Sequence, residues 1–215
     1  MNWDSEYQQK GHIWGNEPSE LAVEITKYFR EKYINLQRYS LLDIGCGYGR
    51  DCFYLSEQLR CNVVGVEKSK TAIDIAVKNS FTTQRKPDFI CFDFLNLNEG
   101  RKFEILYASN LYHTLRPQER SAFREKAEKL LSPGGYLFLN ALSVNDKEEF
   151  GRGNAVEGEH HSFIKEKYLH FFNETELKHD FATFDIEELY ELEYEEYRKE
   201  GNNHYHTSWI LISRG

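Results

Sequence analysis

The sequence predicts an α/β fold: a doubly wound parallel sheet that carries an antiparallel hairpin at one edge. Three observations predict it. Short, nearly continuous apolar runs alternate with amphipathic stretches through residue 142, the pattern of strands covered on both faces by helices. The first of these runs ends in three glycines within five positions, "LLDIGCGYGRD" at Leu41–Asp51. The end of the chain changes style, with Tyr190, Leu192 and Tyr194 alternating with Glu191, Glu193 and Glu195, the period of a half-exposed strand.

The elements follow in order. Glu17 to Ile34 carries a helical stripe of Leu21, Ile25, Tyr28 and Phe29 after the turn at Pro18. "SLLDIG" is the first strand, Asp51 to Leu59 a helix, and "NVVGVE" the second strand. Ser69 caps a helix that runs to about Lys78. "DFICFD" and "FEILYASN" are strands three and four, and Pro117 opens a long helix that ends near Leu131. "SPGG" turns into "YLFLNAL", the fifth strand. The polar stretch from Ser143 to about His170 is too long for an ordinary connection and reads as a lid or insertion. "YELEYEEY", the turn "RKEGNN" and "HYHTSWILIS" make the terminal hairpin. The whole chain is expected to be one domain: an N-terminal lid and helix over 1–35, a cofactor-binding core over 36–142, a lid or insertion with a helix over 143–180, and a hairpin over 181–215.

Composition narrows the function. With 215 residues, 40% hydrophobic and 29% charged, the chain can bury a substantial core. A formal net charge of −8 repels phosphate backbones, so nucleic acid is not an expected partner. The polar start and the lack of a membrane-length apolar run predict neither a signal peptide nor a membrane span. Cys46, Cys52, Cys61 and Cys91 form no CxxC pair. Three of them fall in or beside apolar runs and read as buried thiols, and a cytoplasmic location is expected.

The glycines mark a ligand. In open α/β sheets ligands bind at the carboxyl ends of strands, where the chain reverses direction across the sheet. Gly45, Gly47 and Gly49 sit between the first strand and the first core helix. Lacking Cβ atoms, they let a ligand lie against the backbone. A dinucleotide site wants G-x-G-x-x-G. Counted from Gly45, Arg50 holds the third-glycine position, which weighs against a dinucleotide. Glu67 ends the second strand 22 residues after Gly45, where a carboxylate accepts both hydroxyls of a ribose. Asp43 can hold the loop or meet a ligand ammonium group. Asp93 follows the third strand, placed for an exocyclic amine, with Phe92 and Phe94 as walls of an apolar slot.

With these residues in place, the chain resembles a class I S-adenosylmethionine-dependent methyltransferase over nearly its full length. "LLDIGCGYGRD", the acidic end of "VVGVE", "CFDFLNL", "ASNLYHTL" and "LSPGGYLFL" stand in family order. The resemblance implies a Rossmann-like sheet of seven strands, mostly parallel, with an antiparallel last strand, and S-adenosylmethionine as cofactor. It implies that Asp43, Gly45, Gly47 and Gly49, with Cys46 and Arg50 of the same loop, cradle the methionine part. Glu67, with Lys68 beside it, would bind ribose, and Asp93 with Phe94 adenine. Asn110 and Leu111 would lie by the reacting methyl group. "YQQKGHIWGNEPSELAVE" is similar to the tellurite-resistance and thiopurine methyltransferases in placing Trp14, Gly15 and Pro18 before the first helix. Trp14 would then close over the cofactor, or else staple the helix to the core.

Methyl transfer needs alignment and exclusion of water more than acid–base chemistry. His113, after the fourth strand, is the candidate catalytic residue. His160, His161 and Tyr197 are candidate acceptor contacts, the histidines because their segment should cover the strand ends. His204 and His206 share a strand face, but nothing completes a metal site. Aromatic residues of the lid and hairpin (Phe150, Phe163, Tyr168, Phe171, Phe172, Tyr194, Tyr197, Tyr205) predict a pocket for a compact, weakly charged acceptor. With no carboxylate–histidine dyad near the fourth strand, a soft sulfur, selenium or tellurium nucleophile is expected. The competing readings are a non-catalytic cofactor-binding module and a dinucleotide-dependent oxidoreductase.

Overall fold

The computed structural model describes residues 3–80, 83, 85–196 and 204–215. Seven strands form one sheet in the order β3-β2-β1-β4-β5-β10-β9. They are β1 Ser40–Ile44, β2 Asn62–Glu67, β3 Asp88–Cys91, β4 Phe103–Ala108, β5 Leu131–Leu142, β9 Asp185–Glu196 and β10 His204–Arg214. The first five run parallel, as expected of strands that read as unbroken apolar runs. β10 is antiparallel to both β5 and β9.

The predicted hairpin is therefore present, but its second arm does not lie at the margin. β10 passes inside, between β5 and β9. Burial explains the arrangement: His206 to Ser213 are buried throughout, whereas in β9 Glu191, Glu193 and Glu195 are exposed. A strand apolar on both faces belongs inside, and one with a charged face belongs at the edge.

Among the described residues six helices flank the sheet: α1 Trp3–Lys10, α2 Glu20–Glu31, α3 Arg50–Leu59, α4 Lys70–Asn79, α5 Pro117–Leu130 and α6 Glu174–Asp180. α2 is shorter than expected because Ser19, not the Pro18 turn, starts it; Ser19 Oγ accepts from Ala22 N at 3.3 Å. Ser69 caps α4 in the same way, accepting from Ala72 N at 3.2 Å. Leu21, Ile25 and Phe29 of α2 pack with Leu55 of α3 on one face of the sheet. Phe123 and Ala127 of α5 pack with Leu177 and Phe181 of α6 on the other. "SPGG" is a bulge inside β5, not a turn before it: Phe103 pairs with Leu131 and Ile105 with Tyr136, so the intervening residues loop out.

The expected insertion forms a small sheet of its own, β6 Asn154–Ala155, β7 Ser162–Ile164 and β8 Tyr168–His170. Asp146 ties its start to the main sheet, accepting from Glu149 N at 2.8 Å and from Thr207 N of β10 at 3.0 Å. Cys46, Cys52 and Cys61 are buried and Cys91 exposed, all as free thiols. Among the described residues no helix is long and apolar enough to cross a membrane.

Candidate active site

The carboxyl ends of β1, β2, β3 and β4 open into one cavity of about 550 Å³. Twelve of the thirteen cofactor residues expected from the sequence line it: Trp14, Asp43, Gly45, Cys46, Gly47, Arg50, Glu67, Lys68, Asp93, Phe94, Asn110 and Leu111. The thirteenth is Gly49, and the structure shows why it stands apart.

Each glycine of the loop has positive φ: +75° at Gly45, +53° at Gly47 and +81° at Gly49. Their neighbours differ. A Cβ on Gly47 would lie 2.7 Å from Tyr7 Oη, and one on Gly45 would lie 3.3 Å from the Leu111 side chain, both groups that line the cavity. A Cβ on Gly49 would meet the Phe89 ring at 2.7 Å and Ala76 at 3.3 Å. Gly49 thus serves the close packing of α3 against β3 and α4 rather than the ligand. Gly45 N and Cys46 N donate to Val66 O at 2.8 and 3.2 Å, which fixes the loop on the end of β2.

Two carboxylates face the cavity in different ways. Glu67, 9% exposed, accepts from Ser69 N at 2.8 Å. Burial raises its pKa, opposed by hydrogen bonds from the Ser69 and Gly47 backbone. Asp43, buried at the end of β1, accepts from Cys52 Sγ at 3.0 Å. Desolvation, reinforced by the nearby negative charge of Asp51, pushes its pKa up to about 8. A cationic ligand group would favour its ionised form. Asp93 is exposed and accepts from Leu95 N at 3.0 Å, starting the one-turn helix Phe94–Asn96.

Asn110 has a φ of +52°, uncommon for a residue other than glycine. Asn140 of β5 holds it there: Asn110 N donates to Asn140 Oδ1 at 2.7 Å, and Asn140 Nδ2 donates to Asn110 Oδ1 at 2.9 Å. Asn140 is absent from the sequence reading, because a polar residue inside an apolar strand announces only that a partner exists. Tyr48, Asp51 and Ser19 are further omissions. Tyr48 Oη donates to Gly15 O at 2.7 Å and accepts from Trp14 N at 3.1 Å. Asp51 accepts from Ser19 N at 2.8 Å, Ser19 Oγ at 2.7 Å and Tyr107 Oη at 2.8 Å. Arg50 Nη1 donates to Trp14 O at 2.9 Å. The non-glycine residues of the loop thus anchor the N-terminal segment over the cavity.

That segment is half of a roof. Trp3 and Tyr7 of α1 line the cavity with Trp14, Trp3 and Trp14 having ring centroids 5.8 Å apart. Trp14 therefore both faces the cavity and packs within the roof. Asp4 fastens α1, accepting from Ser69 Oγ at 2.8 Å and Thr71 N at 2.9 Å at the start of α4. The other half is the insertion, which contributes Ile164, Glu166, Lys167 and Tyr168. The halves meet where Lys167 Nζ lies 5.6 Å from the Trp3 ring centroid.

The histidines are elsewhere. His113 is buried in the one-turn helix Tyr112–Thr114, and the cavity wall runs from Leu111 to Thr114 without it. His160 and His161 border a separate surface groove with Glu176 and His179, not the cavity at the strand ends that their segment was expected to cover. Tyr197 lies outside the described residues. Of the aromatic residues expected to form an acceptor pocket, Tyr168 lines the cavity, while Phe150, Phe163 and Phe171 pack on one another. That cluster stands apart from the cavity lining, with Phe171 buried and Phe150 still exposed. His204 and His206 stack with centroids 6.1 Å apart. Among the described residues no group of three or more His, Cys, Asp or Glu side chains is arranged to hold a metal.

Known proteins resemble this chain in sequence and in fold. Residues 41–135 match the model of the methyltransferase domain family. This match covers under half of the chain, from β1 to the bulge of β5. The chain is 29% identical to the probable thiol methyltransferase 2 of Arabidopsis thaliana over 106 residues, 48% of this chain and 46% of that protein. It is 28% identical to a ubiquinone biosynthesis O-methyltransferase of Coxiella burnetii over 134 residues, 60% of this chain and 55% of that protein. The matches thus span about half the length of these relatives. In fold, the chain is similar to TehB from Haemophilus influenzae, with a TM-score of 0.69, 16% identity, and coverage of 98% of this chain and 66% of that one.

Proposed function

We propose that the protein transfers a methyl group from S-adenosylmethionine to a small-molecule acceptor by in-line displacement. The observation that carries this reading is the meeting of side-chain-free Gly45 and Gly47 with the buried Glu67 carboxylate in one roofed cavity. When bound, S-adenosylmethionine supplies a methyl group on positively charged sulfur. Glu67 would hold the ribose hydroxyls and Asp93 with Phe94 the adenine. Asp43 would face the ammonium group, and Asn110, locked by Asn140, would position Leu111 beside the reacting centre. Trp3, Tyr7 and Trp14 would keep water out, where alignment does most of the work.

The chain would act as one domain in the cytoplasm, with residues 1–35 and 143–180 closing over the 36–142 core and 181–215 completing the sheet. A soft sulfur, selenium or tellurium nucleophile suits this site. Among the described residues no histidine lines the cavity, and such a nucleophile ionises near neutral pH without a base. The partial likeness to a protein named as a thiol methyltransferase supports the same choice. A net charge of −8 argues against nucleic acid as the acceptor.

Calorimetric titration with S-adenosylhomocysteine and with NAD, followed by methyl transfer to a panel of thiols, phenols and amines, tests the reading. Micromolar binding of S-adenosylhomocysteine and turnover on thiols are expected. Binding of NAD in its place would support an oxidoreductase. Cofactor binding with no turnover on any acceptor would leave a non-catalytic module.

A further inference from the structure

Two cations line the cavity beside the insertion. Arg116, just before α5, and Lys167, just before β8, both line it beside Tyr168. Aromatic rings seat them. The Arg116 guanidinium lies 4.0 Å over the Tyr168 ring, and Lys167 is the group that meets Trp3 across the roof. Arg116 Nη1 also reaches Glu159 Oε1, at 3.4 Å, long for a charge-assisted bond. That contact uses one of the five donors of a guanidinium.

The ring beneath Arg116 is fixed. Tyr168 Oη donates to Glu159 Oε2 at 2.6 Å, accepts from Arg120 Nη1 at 3.2 Å and lies 3.1 Å from Ser162 Oγ. Ser162 Oγ is in turn 2.8 Å from Nδ1 of buried His170. A planar guanidinium stacked on an immobilised ring loses little freedom when it grips a carboxylate, and its fork suits two oxygens at once.

Two acids line the same end. Glu119 caps its own helix, accepting from Arg116 N at 2.7 Å, and Glu166 is exposed, where water screens it. The opposite end gathers Asp43, Asp51, Glu67 and Asp93 with the cations Arg50 and Lys68. Carboxylates thus dominate the end where hydroxyl and amino donors are expected, whereas two cations face the cavity beside two acids at the far end.

We infer that Arg116 and Lys167 form a carboxylate-binding subsite, so that the methyl acceptor is a small organic acid, a thiol acid fitting both this subsite and the nucleophile argued above. The inference rests on the methyl-transfer reading and replaces the weakly charged acceptor expected from the sequence.

Matched acids and amides test it, with protein saturated by S-adenosylhomocysteine. 2-Mercaptobenzoate should bind at least about tenfold more tightly than 2-mercaptobenzamide. Arg116→Gln and Lys167→Gln should each erode that preference several-fold, and the double variant should abolish it, with the affinity for the amide unchanged. In turnover the loss should fall on KM for the acid rather than on kcat. Equal binding of acid and amide, no binding of either, or a preference that survives the double variant overturns the subsite. A weakened affinity for S-adenosylhomocysteine in the variants also overturns it, since the cations would then serve the cofactor. Preferential binding of the acid with no methyl transfer to any acceptor would leave the subsite standing and remove the methyl-transfer reading alone.

Discussion

The floor of the cavity and its roof are built by different means. Below, Asp43, Gly45 and Glu67 stand at the ends of adjacent strands, and the backbone registers of β1 and β2 place them. Above, α1 and the segment after it hang on side-chain bonds between residues far apart in sequence, such as Asp4 to Thr71 and Tyr48 to Gly15. The insertion joins the main sheet by a few backbone bonds at its two ends, such as Ser143 N to Thr207 O and Phe172 N to Leu142 O. A strand end is positioned by a whole ladder of hydrogen bonds, so one substitution there changes chemistry rather than place. A roof held by single side chains and a few backbone bonds is easier to lift, which suits the half that must admit ligands. The comparison teaches that mutations in the floor should act mainly on cofactor binding, and those in the roof on closure and on the choice of acceptor.

The largest expected effect would break the comparison within the floor itself. Gly47→Val should lower S-adenosylhomocysteine affinity by at least about a hundredfold, roughly 2.7 kcal/mol, because its side chain would collide with Tyr7 over the ligand space. Gly49→Val should instead cost about 2–4 kcal/mol of fold stability by driving Cβ into Phe89. Calorimetry beside denaturant melts separates the two; equal effects at both positions would refute the division of labour.

Glu67→Ala should remove two charge-assisted hydrogen bonds to the cofactor and cost about 2–4 kcal/mol of binding, with unchanged affinity in calorimetry counting against the ribose assignment. A smaller loss is expected from Asn140→Ala, which strips Asn110 of both amide partners. About 1–3 kcal/mol of stability should go, read as a lowered melting midpoint, and turnover should drop with it.

Asp43 sharpens the comparison through pH. Its folded pKa, about 8, lies above the ordinary value of 3.8, so the fold favours its protonated form. The stability it contributes is complete below about pH 4 and is lost as pH climbs through about 8. Melting of the cofactor-free protein between about pH 5 and 9 should show this decline, and Asp43→Asn should flatten it. An identical profile in the variant would assign the decline to other groups.

The smallest effect is expected at His113, which stands behind the cavity wall. His113→Ala should slow turnover by less than about tenfold, and rate should rise with pH as the acceptor's own pKa is passed. A loss of about a thousandfold with cofactor binding intact would restore it as a general base and point to an oxygen or nitrogen acceptor.

The floor was readable because its residues announce themselves locally. Glycines that interrupt an apolar run, and acids that end one, carry position and chemistry together, and Glu67 and Asp93 line the cavity as that pattern implied. The roof was not readable in this way. Arg116 and Lys167 are ordinary surface residues in the sequence, and only the turn that lays Tyr168 under Arg116 gives them a direction. His160 and His161 misled because a lid has two sides, and a run of four residues such as "EHHS" does not say which side faces in. Asn140 was hidden for another reason: its partner stands 30 residues away, just past the end of the neighbouring strand. α1 escaped notice because eight residues with one buried side chain, Tyr7, give almost no periodic signal.

The interior position of β10 also sets an order of assembly. Residues 40–142 supply β1 to β5 and with them the glycine loop, Glu67 and Asp93, and all the parallel pairings among these strands lie within that stretch. The chain reaches β10 some 60 residues after β5, so loop closure delays their pairing. Until it arrives, Tyr136 to Leu142 of β5 lack the seven partners that Ser208 to Arg214 later provide. A nascent chain at that stage carries most of its cofactor residues beside an open, apolar strand edge, the feature most prone to joining another chain. Expression yield, more than the activity of whatever folds, should therefore register substitutions in β10.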